Sequence, residues 1–253
     1  MSGAWHRLAD ELGRWRDGGR TVEFWWRDDD AARPDPALER LCALSAQASV
    51  PLALAVVPLG ADPSLLGVLG DTVTVIQHGT DHRNRAGAGE KKTEFPAVES
   101  APAAVARLAA ARERLAAWAR DRSVPVLVPP WNRLPEALVA QLVPAGFCGL
   151  SRFGARSSAQ PAPGVRQVNT HVDLVAWHAG RGFAGEDAVL EAAVRHLAAK
   201  REGRADAGEP TGWLSHHAVH DEAAWAFLER LFETLRAAPG LRWVGVQELF
   251  HIS

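Results

Sequence analysis

Residues 21–30 read TVEFWWRDDD and decide the fold, because an apolar run passes directly into one arginine and three aspartates. The bulky and β-branched residues of Val22–Trp26 predict a largely buried strand. Three adjacent carboxylates repel one another, so they need a cation or many hydrogen-bond donors to stay ionised. The run Asp28–Asp30 is therefore either a metal ligand beside a general base, or a solvated turn before a helix that begins near Pro36.

Short apolar runs alternate with helix-patterned stretches on either side of this strand. Strand–helix–strand repetition predicts a mostly parallel sheet covered by helices. With about seven or eight strands and no linker, we predict an α/β fold, a distorted (β/α) barrel forming a single domain over residues 1–253. An open, doubly wound sheet is the alternative. In both architectures functional side chains gather at the carboxyl ends of the strands. The predicted strands are 21–27, 52–57, 73–77, 124–128, 146–151, 165–169, 212–216 and 241–245, and the predicted helices 36–48, 101–122, 135–143, 186–201 and 221–238.

A second polar cluster, His78-Gly79-Thr80-Asp81-His82, follows the apolar run Val73–Ile76. If the chain turns into a helix here, residues four apart share a face and both imidazoles could bind one ion. The zincin motif is excluded, because Gly79 stands where that motif has glutamate. The run Asp28–Asp30 supplies a third ligand. Two histidines and one carboxylate suit Zn²⁺ with a water, or non-haem iron or another divalent ion.

Three more polar clusters follow predicted strands: 128–133 (VPPWNR), 169–173 (NTHVD) and 212–217 (GWLSHH). Each has a plain alternative, such as a rigid turn at the two prolines. His216 could act as a general acid, or His216, His217 and His220 could form a second metal set. The last of these residues also just precedes Asp221, a predicted helix cap. Five polar clusters at five strand ends are improbable by chance, and together they predict one active site.

Composition excludes several other classes. The chain has 253 residues, a formal net charge of −2 and two cysteines, and its pI near 6.6 indicates no nucleic-acid or anionic-membrane partner. Cys42 and Cys148 cannot form a disulfide framework or a cysteine metal site, so we interpret both as core residues. No signal-peptide or membrane-spanning pattern is present, and the expected location is cytoplasmic. The oligomeric state is not predicted.

These clusters resemble the motifs of the polysaccharide deacetylase family (carbohydrate esterase family 4). The family's T-F-D-D-G is similar to residues 27–31, which implies that Asp29 is the catalytic base and Asp30 a metal ligand. A register one residue earlier, with Asp28 and Asp29, stays open. The family's H-x-x-x-H is matched in full, which implies that His78 and His82 are the other two ligands.

The remaining motifs are altered. R-P-P-Y-G resembles residues 128–132, but Val128 replaces the arginine that orients the base in the family; Arg27 or Arg133 could substitute for it. The fourth motif is only loosely similar to 171–173. In the fifth, L-x-H-D resembles 214–217, with His216 as the catalytic histidine and His217 in place of the aspartate. The resemblance spans roughly residues 21–220.

The resemblance implies a metal-dependent hydrolase that removes an N-acyl group, most simply N-acetyl, from a sugar or glycan-like substrate. The implied cofactor is a divalent metal, foremost Zn²⁺, with Co²⁺, Mn²⁺, Ni²⁺ or Fe²⁺ as alternatives. Two rival functions stay open: hydrolysis of a non-sugar cyclic amide, and a non-catalytic metal-containing domain that binds a glycan or partner. An iron(II) oxygenase would need an all-β fold, which the helical stretches contradict. The predicted substrate contacts are Pro130, Trp131, Asn132, Arg133, His171, Asp173 and Trp213.

The long loop 83–99 has no apolar period, and loops of this length often border active sites. Its residues Lys91, Lys92 and Glu94 either approach the substrate or belong to a solvated loop.

Overall fold

The computed structural model describes residues 3–252, which form one nine-stranded sheet with seven α-helices around it. The strands are β1 Val22–Ala31, β2 Leu52–Val56, β3 Val73–His78, β4 Ser123–Val128, β5 Gly149–Leu150, β6 Arg166–Gln167, β7 Val172–Asp173, β8 Thr211–Ser215 and β9 Leu241–Trp243. The helices are α1 Gly3–Asp17, α2 Pro36–Ala48, α3 Ala101–Ala119, α4 Glu136–Val139, α5 Glu186–Arg201, α6 Glu222–Leu235 and α7 Val246–Phe250.

The sheet is entirely parallel, and its order is β6-β5-β4-β3-β2-β1-β8-β7, with β9 added to the start of β1. The extended segment 166–174 closes it. The backbone N–H of Val168 donates to Leu150 next to β5, whereas that of His171 donates to Gly212 at β8. One piece of chain therefore joins both ends of the curved sheet. This confirms the distorted (β/α) barrel; the sheet has nine strands and not the eight predicted, because the two-residue strand β7 was not expected after the predicted strand 165–169.

Side chains alternate across β1, as the period of a strand requires. Phe24 and Trp26 pack outward with the residues of the surrounding helices. Trp25 packs inside with residues of β2, β3 and β4, and with α7. Arg27 and Asp29 continue the inward series and are almost completely buried. The barrel interior is thus apolar at the end closed by α7 and charged at the end where β1 finishes.

Several boundaries differ from the predicted ones. Asp28–Asp30 lie inside β1 rather than after it. The predicted helix 135–143 shortens to α4, Glu136–Val139, and α1 and α7 were not predicted as elements. Asp221 caps α6 as expected, accepting a hydrogen bond from the Ala224 N–H. Within the described chain no helix has the length and apolarity needed to cross a membrane. Both cysteines are free.

Candidate metal centre and active site

Three side chains from distant parts of the sequence meet at the carboxyl end of the barrel. Asp30 Oδ1 lies 3.0 Å from His78 Nε2 and 3.2 Å from His82 Nε2. The three candidate ligand atoms all lie within 4.8 Å of one another, a separation that one bound ion can bridge. His78 is buried, whereas His82 and Asp30 are partly exposed, so the cluster is reachable from solvent; this solvent-facing part of the rim is called the cleft below.

Strand order explains how these residues meet. β1 and β3 flank β2 in a parallel sheet, so Asp30 near the end of β1 and His78 at the end of β3 reach the same rim. His82 returns through a tight turn and not through the helix that the i, i+4 spacing suggested. Gly79 begins the turn with φ of +56°. A Cβ there would stand 2.0 Å from Glu94 Oε2 and 2.5 Å from the Pro130 ring, so this position requires glycine.

Backbone strain is concentrated around the same rim. Of the eight non-glycine residues with positive φ among residues 3–252, four lie here: Asp30 (+74°), His82 (+55°), Trp131 (+55°) and Asn132 (+57°). Such conformations cost roughly 1–3 kcal/mol each and persist where the surroundings enforce them, commonly at functional sites. The clustering favours an active site over solvated turns at both motifs.

Charge and tautomer in the cluster fit a bound cation. A carbonyl can only accept, so His78 Nδ1 carries the proton that it donates to Val128 O at 3.0 Å. The lone pair of its Nε2 then faces the Asp30 carboxylate. Burial opposes the charged form of His78, but Asp29 and Asp30 outweigh it and raise the pKa of His78. Burial likewise opposes ionisation of Asp30, and the neighbouring histidines outweigh it and lower the Asp30 pKa. The pocket therefore attracts positive charge, which a proton or a divalent ion would supply.

His82 completes this set as the neutral member. Burial and the neighbouring His78 lower the pKa of His82, which favours the neutral imidazole that a metal ion binds. Its ring lies against the Trp131 ring, with centroids 4.6 Å apart. The donor set of two imidazoles and one carboxylate suits Zn²⁺ and related divalent ions.

Asp29 is held inside the barrel by the guanidinium of Arg27. Arg27 Nε lies 2.8 Å from Asp29 Oδ1, and Arg27 Nη2 lies 2.9 Å from Asp29 Oδ2. The same guanidinium donates to Ser151 Oγ at 2.7 Å and Asn132 Oδ1 at 3.1 Å. Arg133 instead donates to the Lys92 carbonyl at 2.6 Å. Of the two arginines considered as replacements for the residue lost at Val128, the geometry favours Arg27.

Asp28 points away from the cluster. Its carboxylate accepts from Ser215 Oγ at 2.6 Å and from the His217 N–H at 3.0 Å, and it pairs with His217 Nδ1. Burial opposes both charges, yet the pairing lowers the pKa of Asp28 and raises that of His217. This favours the register with Asp29 and Asp30 at the site. Asp28 and His217, which depart from the family's first and fifth motifs, thus contact each other.

His216 faces the same cleft from β8. Its ring stands edge-on to the Trp177 ring, with centroids 4.7 Å apart, and Trp177 Nε1 donates to Asp173 Oδ2 at 2.9 Å. Burial raises the pKa of Asp173; the charge of Asp29 adds to this and His216 opposes it. His216 also acts on the pKa of Asp30. Asp29, Asp173 and His216 therefore share one electrostatic environment beside the candidate metal ligands.

Two predicted substrate contacts lie elsewhere. Trp213 is fully buried in the outer core, with its ring edge-on to Phe24 at 5.6 Å. His171 is buried too: its Nδ1 accepts from the Gly212 N–H at 3.0 Å, and its ring stacks on His196. The structure does not bring either residue to the cleft. Trp213 points outward by the alternation of β8, and His171, which precedes β7, packs against His196 and Glu209.

His171, His196 and Glu209 form a second group of potential ligands within 4.8 Å. The two imidazole rings are stacked, with centroids 3.4 Å apart and planes inclined by 14°. A metal lies in the plane of each imidazole that binds it, and nearly parallel planes at this separation share no such point nearby. Nδ1 of His171 is also occupied by a backbone donor. This group is a buried polar network and not a second metal centre.

Glu94, in the long loop, supports the turn that carries His82. Its buried carboxylate accepts from the backbone N–H groups of Thr80 at 2.9 Å and Asp81 at 3.2 Å, and pairs with Arg107 Nη1 at 2.9 Å. Lys91 and Lys92 in the same loop are exposed. A single glutamate in a polar loop gives no pattern from which this supporting role could be predicted.

No family model matches the chain, and no curated protein matches it either. Solved structures do match it. A "T48 deacetylase with substrate" is 19% identical with a TM-score of 0.54, covering 91% of this chain and 92% of that one. A family 4 carbohydrate esterase from Streptomyces lividans, in complex with acetate, is 16% identical with a TM-score of 0.56, covering 87% and 91%. A putative polysaccharide deacetylase from Mycobacterium smegmatis is 14% identical with a TM-score of 0.60, covering 92% and 90%. The fold that the motif resemblance implied is confirmed over nearly the whole chain.

Proposed function

We propose that this protein is a metal-dependent hydrolase that removes an N-acyl group, most simply N-acetyl, from a sugar or glycan. The observation that carries the proposal is that candidate ligand atoms of Asp30, His78 and His82 lie within 4.8 Å of one another. The Asp29 carboxylate, paired with Arg27, lies next to them in the sequence of β1. A divalent ion bound by the three would polarise the acyl carbonyl and acidify a water molecule.

Asp29 is the proposed general base. It takes the proton of the attacking water, and Arg27 holds the carboxylate in place for that transfer through a hydrogen bond to Oδ2 and an ion pair at Oδ1. A base within hydrogen-bond reach of its proton typically contributes a factor of about 10²–10⁴ in rate. Because Arg27 also reaches Ser151 and Asn132 across the barrel, it fixes the base relative to three strand ends.

His216 is the proposed general acid, which protonates the leaving amine as the acyl group departs. Its ring is positioned by the edge-on contact with Trp177. Asp173, tied to the same indole, supports the imidazolium that forms when His216 recovers its proton.

The substrate cleft is formed by the turn at 130–132. Trp131 lies against His82 and offers an apolar wall for a sugar ring, while Pro130 packs behind Gly79 and fixes the turn. Support for the substrate class comes from structures that share the fold: one is described as a peptidoglycan deacetylase from Bacillus subtilis and another as an acetyl xylan esterase from Clostridium thermocellum in complex with cobalt.

The test is acetate release from N-acetylglucosamine oligomers by protein loaded with Zn²⁺, Co²⁺ or Mn²⁺. Asp29→Asn should lower the rate by about 10²–10⁴ while the bound metal persists. Asp71→Asn, which removes a fully exposed carboxylate, is the matched control and should keep full activity. Bound metal with no turnover of any acyl substrate, cyclic amides included, would contradict catalysis and favour a binding domain. Undiminished turnover in Asp29→Asn would reject Asp29 as the base.

A further inference from the structure

We propose that a groove beside the cleft binds an anionic group, a carboxylate or a phosphate, carried by the substrate. The groove has a volume of about 370 Å³ and runs between the loop residues Lys91 and Phe95 on one side and residues 132–135 on the other. This inference rests on the proposed function, because it concerns which acylated sugar the cleft accepts.

The groove adjoins the proposed catalytic residues directly. Asn132 lines it, and the Asn132 side chain also accepts a hydrogen bond from Arg27, the residue that holds Asp29. The preceding residue, Trp131, contacts His82. A substituent on the acylated sugar, or the next sugar of a chain, would therefore extend from the cleft into the groove.

The charge lining the groove is exclusively positive. Lys91 and Arg133 line it, and no carboxylate does. Neither cation has a carboxylate within ion-pair distance among residues 3–252, whereas Arg27, Arg85 and Arg107 around the same site are each paired with one. The chain as a whole carries a formal charge of −2, so this local excess of positive charge is not a general property of its surface.

Arg133 is oriented but not neutralised. One of its guanidinium nitrogens donates to the Lys92 carbonyl at 2.6 Å, which links the two sides of the groove. The remaining donors of the planar group are free to bind two oxygens of one anion, the geometry that carboxylates and phosphates prefer.

Apolar side chains complete the groove. Phe95, Leu134 and Pro135 form its walls and offer a surface for the face of a sugar ring. The combination of an apolar wall with two unpaired cations fits an N-acyl sugar that bears a carboxylate or phosphate substituent, and it fits an uncharged oligosaccharide poorly.

Matched substrates test this inference. We would compare kcat/KM for N-acetylmuramic acid with that for its carboxamide, and kcat/KM for N-acetylglucosamine 6-phosphate with that for N-acetylglucosamine. Charge-assisted hydrogen bonds contribute about 1.5–3 kcal/mol, so the better anionic substrate should exceed its neutral partner by roughly 10-fold to 100-fold. The two pairs distinguish a carboxylate from a phosphate. Equal values within both pairs would overturn the proposal.

Variants of the two groove cations test whether the preference for anionic substrates arises in this groove. In Arg133→Gln, and in Lys91→Gln, the anionic-to-neutral ratio should fall towards one, and Arg133→Glu should reverse the preference. Using the ratio cancels any general loss of activity. Arg236→Gln is the matched control, because Arg236 is exposed on the surface beside α6 and has no carboxylate partner among the described residues; it should keep the wild-type ratio. A ratio that survives in Arg133→Gln would reject this groove as the anion site.

A binding measurement separates this inference from the proposed function. Calorimetric titration with the same sugars needs no turnover. Anionic sugars that bind more tightly than their neutral partners, with a preference lost in Arg133→Gln, would support the groove even if no acetate is released. Turnover of neutral N-acetyl sugars without any anionic preference would support the hydrolase and overturn the groove.

Discussion

Gly79→Ala should destabilise the protein and weaken metal binding together, because one turn joins the two histidines. A Cβ at this position would lie 2.0 Å from Glu94 Oε2 and 2.5 Å from the Pro130 ring, at a φ of +56°. The left-handed conformation costs an L-residue about 1–2 kcal/mol, and forcing extra volume into a packed site costs about 1–3 kcal/mol. The free energy of unfolding should therefore fall by about 2–5 kcal/mol.

Relaxation around the new methyl group is restricted. Glu94 accepts hydrogen bonds from the Thr80 and Asp81 N–H groups and pairs with Arg107. Moving its carboxylate would leave a buried charge short of donors, which is costly. Residues 80–82 would move instead, and His82 would leave its position near Asp30. We expect the metal affinity to drop at least about tenfold, which is about 1.4 kcal/mol of lost binding.

Gly89→Ala is the matched control. Gly89 lies in the loop 83–99, which also contains Glu94, and has a φ of +80°. A Cβ there would meet nothing within 4 Å. Only the conformational cost applies, and the stiffer unfolded chain offsets about 0.4–1 kcal/mol of it. Urea unfolding of chelator-treated protein gives the two stability changes, and competition with a chromophoric chelator gives the metal affinities. If the two variants agreed within about 1 kcal/mol and bound metal alike, the tight turn would not be what holds the histidine pair.

Three further predictions concern other parts of the structure. Asp28→Asn should lower the free energy of unfolding by about 3–5 kcal/mol, because it leaves the buried His217 imidazolium without its partner; a loss below about 1 kcal/mol in urea unfolding at pH 7 would contradict this. Burial, aided by His171, lowers the pKa of His196 to about 2. Below about pH 6.5 the His196 imidazole therefore binds a proton in the unfolded state but not in the folded state. Stability should therefore decline below about pH 6.5, with His196 contributing about 1.4 kcal/mol per pH unit, and urea titrations of His196→Asn should show a shallower decline; an unchanged slope would refute that origin. Finally, Zn²⁺ at 100 times its dissociation constant should stabilise chelator-treated wild type by about 2.7 kcal/mol in thermal unfolding but should not stabilise His82→Asn, and equal stabilisation of both would argue against His82 as a ligand.

Strand ends were the part of the molecule most open to prediction. In a parallel barrel every strand finishes at one rim, so polar residues after apolar runs converge there whatever their distance in sequence. That reasoning placed the run Asp28–Asp30 with His78, and the family resemblance then selected Asp30 within the run. The backbone between His78 and His82 could not be predicted, since i, i+4 spacing fits both a helix and a tight turn. The deciding contacts come from Glu94 and Pro130, which are remote in sequence.

The direction in which each side chain points was the second feature that the sequence could not predict. A sequence locates a residue near a strand end, but the register of a strand decides which face the side chain takes. β7 is only two residues long, so its pattern cannot show that Asp173 contacts Trp177 beside His216 while His171 points to Glu209. The faces taken by Asp28 and Asp29 were also not predicted, because β1 was expected to end before them and in fact includes them. Alternation sends Arg27 and Asp29 inward as a pair and sends Asp28 to His217.

The metal content of untagged protein tests the central claim most directly. By elemental analysis after dialysis, wild type should retain a single divalent ion per chain, while Asp30→Ala and His82→Ala should retain almost none. His196→Ala, altered in the second histidine cluster, should keep the wild-type content. Wild-type protein without bound metal, or an ion that persists in Asp30→Ala and is lost in His196→Ala, would contradict the assignment of Asp30, His78 and His82 as the metal ligands.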